Sequence, residues 1–131
     1  MDRELWERYE EVQAQYAKHN IVENIKTAVV LYADSIPVGS GCFKRFDDQS
    51  IEIKRMFVTE QSRGKGFSKR ILEELENWGA ELGYKRAVLE TGLKQPEAIA
   101  LYQGFGYSRI PNYQPYVGLP QSVCFKKELT A

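Results

Sequence analysis

Gln61-Ser62-Arg63-Gly64-Lys65-Gly66-Phe67-Ser68 decides how this chain is read. It follows an apolar, β-branched run, Ile51 to Val58, and leads into a long amphipathic pattern. Strand, glycine turn and helix in that order make a helix N-terminus, where unpaired N–H groups and a partial positive charge attract phosphate. The two glycines allow a sharp turn and keep Cβ atoms out of the approach path. Arg63 and Lys65 add full positive charges at the same place. The expected occupant is a pyrophosphate.

Two common phosphate motifs do not fit. A Walker loop has a glycine five residues before its Gly-Lys-Ser/Thr, but Thr59 holds that place and Gly66 follows Lys65. The dinucleotide fingerprint Gly-x-Gly-x-x-Gly needs a third glycine where Lys69 stands.

Working outward, the 131 residues suit one domain with a real core. Eighteen basic residues balance eighteen acidic ones, which argues against a generic nucleic-acid or membrane-surface binder. No apolar run approaches a bilayer span, and the opening Met-Asp-Arg-Glu does not read as a signal peptide, so a cytoplasmic protein is expected. Cys42 and Cys124 sit in predicted strands and are read as small core residues. With a single His, no Cys/His metal centre can be assembled, and no metal is expected.

Apolar residues at Leu5, Trp6, Tyr9, Val12 and Tyr16 step by three and four and predict a helix from Asp2 to about Lys18. His19-Asn20 breaks it. Strands are predicted at Thr27–Ala33, Ile36–Phe46 and Ile51–Val58, joined by turns at Asp34-Ser35 and residues 47–50. Gly39 and Gly41 allow a bulge or a close contact. After the loop, Phe67, Ile71, Leu75, Trp78 and Leu82 form a core-facing stripe that Gly83 stops. A strand at 85–90 should lie parallel to 51–58 after the crossover. Pro96 opens a short helix that Gly104 ends. Then come a short strand at 107–109, a Pro- and Tyr-rich loop at 112–120 and a last strand at 121–127. The fold class is α+β, a mixed central sheet with helices on both faces.

The second helix carries another pattern: Gln95-Pro96-Glu97-Ala98-Ile99-Ala100-Leu101-Tyr102-Gln103-Gly104-Phe105-Gly106-Tyr107. Together with the glycine loop it resembles the GNAT superfamily of acetyl-CoA-dependent N-acetyltransferases. The family's phosphate loop, Gln/Arg-x-x-Gly-x-Gly/Ala, is matched by Gln61, Gly64 and Gly66. Its second signature, Asn-x-x-Ala-x-x-Leu-Tyr-x-x-x-Gly-Phe/Tyr, is matched by Ala98, Leu101, Tyr102, Gly106 and Tyr107, with Gln95 in the usual Asn place. The resemblance runs from about Lys26 to Leu129 and implies a single GNAT domain over 1–131. The family usually begins with a strand ahead of its first helix. This chain reads as starting in a helix, so that strand is either dispensable or outside the chain.

The resemblance also implies roles. The amides of Arg63 to Ser68, with Gln61, Arg63, Lys65 and Phe67 around them, hold the pyrophosphate of acetyl-CoA. Backbone groups of Met56, Phe57 and Val58 pair with the pantetheine arm as an added strand. An N–H near Phe57 or Val58 polarises the thioester. Gln95 and Tyr102 border the cofactor. Tyr102 is the acid for the departing thiolate, a transfer that is uphill by roughly 2 kcal/mol at reference pKa values unless the site lowers the phenol's. Glu52 is the candidate base for the amine, with Glu90 its competitor; the other reading of Glu52 is a surface carboxylate paired with Lys54 or Arg45. Tyr16, His19, Asn20, Tyr113 and Tyr116 are available to wall an acceptor pocket. The activity implied is acetyl transfer to a primary amine by direct attack. The alternative is a non-catalytic acyl-CoA-binding module. A small-molecule or peptide amine is the partner expected, a homodimer is compatible with the exposed edge strands, and the acceptor is not legible.

Overall fold

The computed structural model describes the backbone of residues 4–16 and 21–129 and the side chains of residues 27–129. Its elements are β1 (Glu4–Tyr16), β2 (Ile21–Ala33), β3 (Ile36–Asp47), β4 (Ser50–Val58), a single 3-10 turn (Glu60–Ser62), α1 (Phe67–Glu81), β5 (Arg86–Gly92), α2 (Pro96–Gly104), β6 (Ser108–Ile110) and β7 (Ser122–Glu128). The strands follow the order β1-β2-β3-β4-β5-β7-β6. The sheet is mixed, because β4 and β5 are parallel while β1·β2, β2·β3, β5·β7 and β6·β7 are antiparallel. The class is the α+β one expected. The residues divide into two compact units, Met1–Lys44 with Ile53–Trp78, and Arg45–Glu52 with Gly79–Ala131.

In the first unit the helix predicted over 2–18 is not formed. Residues 4–16 are a strand, paired in register with β2 from Glu4↔Ala33 to Tyr16↔Ile21. A three-and-four periodicity carries no weight against a ladder that satisfies backbone groups along the whole segment. The His19-Asn20 break lies outside the described residues. β2 turns into β3 through Asp34 and Ser35, with φ of 52° and 68° and Ala33 opposite Ile36. Two central residues with positive φ match the right-handed twist of the strands they join.

Helix α1 lies very close to β3. A Cβ on Gly39 would stand 2.7 Å from Ile71 Cδ1 and 2.8 Å from the Phe57 carbonyl oxygen; one on Gly41 would stand 2.8 Å from Met56 Sδ and 2.9 Å from Ile71 Cγ2. A side chain at either position would force its neighbours to shift, and at Gly39 one of those neighbours is backbone. Val29, Leu31, Val38, Phe43, Ile53, Phe67, Ile71, Leu72, Leu75 and Trp78 are buried, with Trp78 edge-on to Phe43 at 5.7 Å. Cys42 is buried here and donates its thiol to the Lys54 carbonyl at 3.3 Å.

In the second unit the parallel register of β4 on β5 includes Ser50↔Arg86, Ile51↔Ala87 and Glu52↔Val88. The α1 end closes with Gly83 N–H on the Ala80 carbonyl and Tyr84 N–H on that of Gly79, both at 3.0 Å, which satisfies carbonyls the helix leaves open. Leu82, expected on the core-facing stripe, is 55% exposed, because the helix ends at Glu81 before its face returns to the core. Pro96 takes the first turn of α2, where a missing N–H costs nothing. Ile51, Ala87, Val88, Leu89, Tyr107, Val123, Cys124 and Phe125 are buried.

Candidate active site

The first unit contains the glycine loop. β4 ends with the Thr59 amide on the Val38 carbonyl at 2.8 Å, anchoring the turn to β3. The Thr59 hydroxyl donates to Ser62 Oγ at 2.8 Å, and the Ser62 amide to the Thr59 carbonyl at 2.9 Å. Arg63 folds back so that its Nε–H reaches the Val58 carbonyl at 3.2 Å. Part of that guanidinium therefore fixes the loop to the strand. Gly64 and Gly66 then have φ of 79° and 82°, a conformation other residues reach only at a cost.

The first α1 hydrogen bond around this point runs from Arg70 N–H to the Gly66 carbonyl at 3.3 Å. The amides of Phe67 to Lys69 come ahead of it and face out of the helix start. No acidic side chain stands in the first turn to neutralise them. Gln61, Arg63, Gly64, Lys65 and Gly66 are exposed, Ser68 is half-buried, and the Phe67 ring is buried and anchors the helix start. A Cβ on Gly64 or Gly66 would meet nothing within 4 Å, so the ground before the loop is clear. Beside it opens a cavity of about 430 Å³, lined among others by Ile36, Pro37, Thr59, Gln61, Ser62 and Lys65. Upstream on β4, Met56 is half-buried, Phe57 is 54% exposed and Val58 is buried. Arg55, within β4, takes a left-handed φ of 58°. The plain two-residue alternation of a strand therefore does not run unbroken from Glu52 to Met56.

The second unit holds Glu52, Gln95 and Tyr102. Gln95 is the exposed N-cap of α2, with no hydrogen bond from its side chain to the cap. Tyr102 is buried against Tyr107, with ring centres 5.8 Å apart, and against Phe125 at 6.3 Å. Burial raises the phenol's pKa above its ordinary 10.0, the opposite of the lowering that would ease proton transfer to a thiolate. The phenol is held in its protonated, donor form.

Glu52 is not a surface carboxylate. It is 5% exposed, and the Tyr113 hydroxyl donates to its Oε2 at 2.9 Å. Arg45, one of the partners considered for it, reaches Asp48. Tyr113 is wedged between Phe46 (4.7 Å) and Tyr116 (5.6 Å). Burial first, then the charge and hydrogen bond of Glu52, push the Tyr113 phenol far above its ordinary value. Glu90, the competing base, pairs with Cys124 across β5·β7. Of the other pocket candidates, Tyr116 is half-buried, Tyr16 is described by its backbone alone, and His19 and Asn20 lie outside the described residues. The contact between Glu52 and Tyr113 spans 61 residues. No spacing in the sequence announces it.

The sequence profile of the Acetyltransferase (GNAT) family matches residues 1–107. Over 78 residues the chain is 37% identical to the IAA acetyltransferase of Azospirillum brasilense, an alignment covering 60% of this chain and 51% of that protein. The chain thus spans about half the length of this curated relative. The structure superposes on the IAA acetyltransferase from Bacillus cereus ATCC 14579 with a TM-score of 0.76 at 15% identity, over 97% of this chain and 100% of that one. It also superposes on a GNAT family acetyltransferase from Elizabethkingia anophelis with acetyl-CoA bound, with a TM-score of 0.69 at 18% identity, over 79% and 76% of the two chains. Among the described residues no helix is long and apolar enough to cross a membrane. With the glycine loop, the α2 signature and a family match over most of its length, the chain belongs to the GNAT acetyltransferase family.

Proposed function

We propose that this chain transfers an acetyl group from acetyl-CoA to a primary amine by direct attack. The observation that carries the reading is the start of α1: two exposed glycines at positive φ, open ground before them, outward-facing amides and no acidic residue in the first turn. Such a site suits a pyrophosphate. The amides from Arg63 to Ser68, with Gln61 and Lys65 alongside, hold it. Backbone groups of Met56, Phe57 and Val58 align the pantetheine arm, and an N–H near Phe57 or Val58 faces the thioester oxygen.

Acetyl-CoA supplies the activated acyl group. The protein supplies position and protons. As the N–C bond forms and the C–S bond breaks, one proton leaves the amine and one must reach the sulfur. Glu52 takes the first, as a carboxylate held by a neutral phenol. Tyr102 gives the second, as a phenol that burial keeps protonated.

The test has two arms. Calorimetry with CoA reads the loop: no heat and no thermal shift at millimolar CoA would refute the reading at its base. Acetyl-CoA with a broad panel of amines, followed by thiol release, reads the chemistry. CoA binding without acetylation of any amine supports a non-catalytic binding module instead.

A further inference from the structure

The loop between β6 and β7 has a built-in lock. Asn112 Nδ2 lies 3.1 Å from the Tyr116 carbonyl, 3.1 Å from that of Leu119 and 3.0 Å from that of Ser122. One side-chain amide thus gathers three points of a segment with little regular structure of its own. Further backbone bonds close it, Tyr116 N–H to the Tyr113 carbonyl at 2.6 Å and Leu119 N–H to that of Tyr116 at 3.0 Å. Such a loop is held in one shape by its own polar groups.

What the lock presents is Tyr113. Its ring is braced by Phe46 and Tyr116, and its hydroxyl ends on Glu52 Oε2. A carboxylate 95% withdrawn from water needs a donor, or its charged form becomes costly. From Tyr113 it receives one whose ionisation is opposed by burial and by the charge of Glu52. We infer that Tyr113 is a positioning residue for the acyl-transfer step: the Asn112-locked loop delivers its hydroxyl to Glu52 and fixes that carboxylate's rotamer, so that its oxygens are aimed to accept the amine's proton. This rests on the assignment of Glu52 as base.

The surroundings fit that role. Cys124 on β7 is the next titratable group; burial pushes its thiol up, and the charges of Glu90 and Glu52 push it further. Arg109 on β6 acts in the opposite sense on the same thiol. Tyr116 faces Tyr113 from within the loop, and its effect is to raise the phenol further. The Tyr113 hydroxyl is thus a donor held on Glu52, and burial with the charges of Glu90 and Glu52 keeps the Cys124 thiol neutral.

The contact is tested first in the resting protein. With tyrosine labelled at Cζ, the Tyr113 signal should stay at its protonated position while exposed tyrosines titrate. In Glu52→Gln it should ionise at lower pH than in the parent, since one charge and one acceptor are gone. A Tyr113 signal that titrates identically in the two proteins overturns the inference, with no appeal to activity. The role is then tested with Tyr113→Phe, which keeps the ring contacts. On the best amine of the panel, the acidic limb of the kcat/KM profile should move to higher pH, with kcat falling more than the amine KM rises. An unmoved limb in a folded Tyr113→Phe protein overturns the inference, as does a loss confined to KM. If the limb persists in Glu52→Gln itself, the base assignment falls instead. The two failures are therefore distinguishable.

Discussion

Gly39 sets how close α1 comes to the sheet, and replacing it measures that closeness. In Gly39→Ala the new Cβ meets Ile71 Cδ1 at 2.7 Å, the Phe57 carbonyl oxygen at 2.8 Å and Val58 Cγ2 at 3.3 Å. Real Cβ contacts are longer, so something must move. Ile71 is fully buried, and the carbonyl belongs to β4 just before Thr59 ties that strand to Val38. Overpacking of this kind costs about 1–3 kcal/mol. The alanine returns roughly 0.4–1 kcal/mol through the unfolded chain. A net loss of about 1–2 kcal/mol remains. At roughly 2.1 cal/mol/K per residue of unfolding entropy, that is a Tm lower by about 4–7 °C.

Gly79→Ala is the control. Its Cβ also comes within 2.7 Å of a neighbour, but that neighbour is the terminal methyl of Ile51, and Leu129 Cδ1 stands at an ordinary 3.6 Å. A side-chain end can swing away for about 0.5–1.5 kcal/mol, while alanine inside a helix recovers about 1 kcal/mol. Gly79→Ala should therefore leave Tm within about 2 °C of the parent. Thermal unfolding followed by far-UV circular dichroism compares the two. A Gly39→Ala protein as stable as its parent, or one more stable than Gly79→Ala, would refute the reasoning from backbone against side-chain obstruction.

Tyr102→Phe should lower turnover by roughly ten- to a thousand-fold with CoA affinity unchanged in calorimetry, and an unchanged kcat removes the phenol from the mechanism. Gly66→Ala places a Cβ in open space but at φ 82°, so strain of about 1–2 kcal/mol is its only cost; CoA binding should weaken about tenfold or more, and unchanged affinity would detach the loop from the cofactor. Asp47 and Glu128 have pKa values below their ordinary 3.8 and 4.5, the first chiefly through the Gln49 amide and the second through Arg86. Their contribution is present above those ordinary values and lost as pH falls through the lowered ones. Urea midpoints from about pH 5 down to about pH 3 should therefore fall less steeply in Asp47→Asn/Glu128→Gln than in the parent.

Much of this was legible in the residues. Short-range rules located the Asp34-Ser35 turn, the loop from Gln61 to Ser68, the Gly83 stop and the Pro96 start, because each depends on backbone chemistry a few residues wide. The helix expected at 2–18 failed for the converse reason. A period of three to four says which face a helix would bury, but it cannot see a partner strand that takes the backbone hydrogen bonds. Leu82 failed at a boundary, one residue past the end of α1. Among the candidate site residues, Tyr102 came from its place in the second motif and Glu52 from its place on the strand ahead of Met56. The hydroxyl that holds Glu52 had no such signal, since Tyr113 reaches it only after β5, α2 and β6 have brought the chain back. The left-handed turn at Arg55 carries no signal either, for arginine has no preference that would announce it.

The two cysteines make the molecule its own stopwatch. Cys42 lies in the first unit and Cys124 in the second, 5% and 0% exposed. Neither can meet an alkylating reagent until its surroundings part, and burial further depletes the reactive thiolate of Cys124. Under native conditions the rate at which each sulfur is blocked reports how often its own unit breathes open. Equal rates, corrected for thiolate content, mean that the two units open equally often. Unequal ones give each half a separate lifetime, read from a single sample by mass spectrometry.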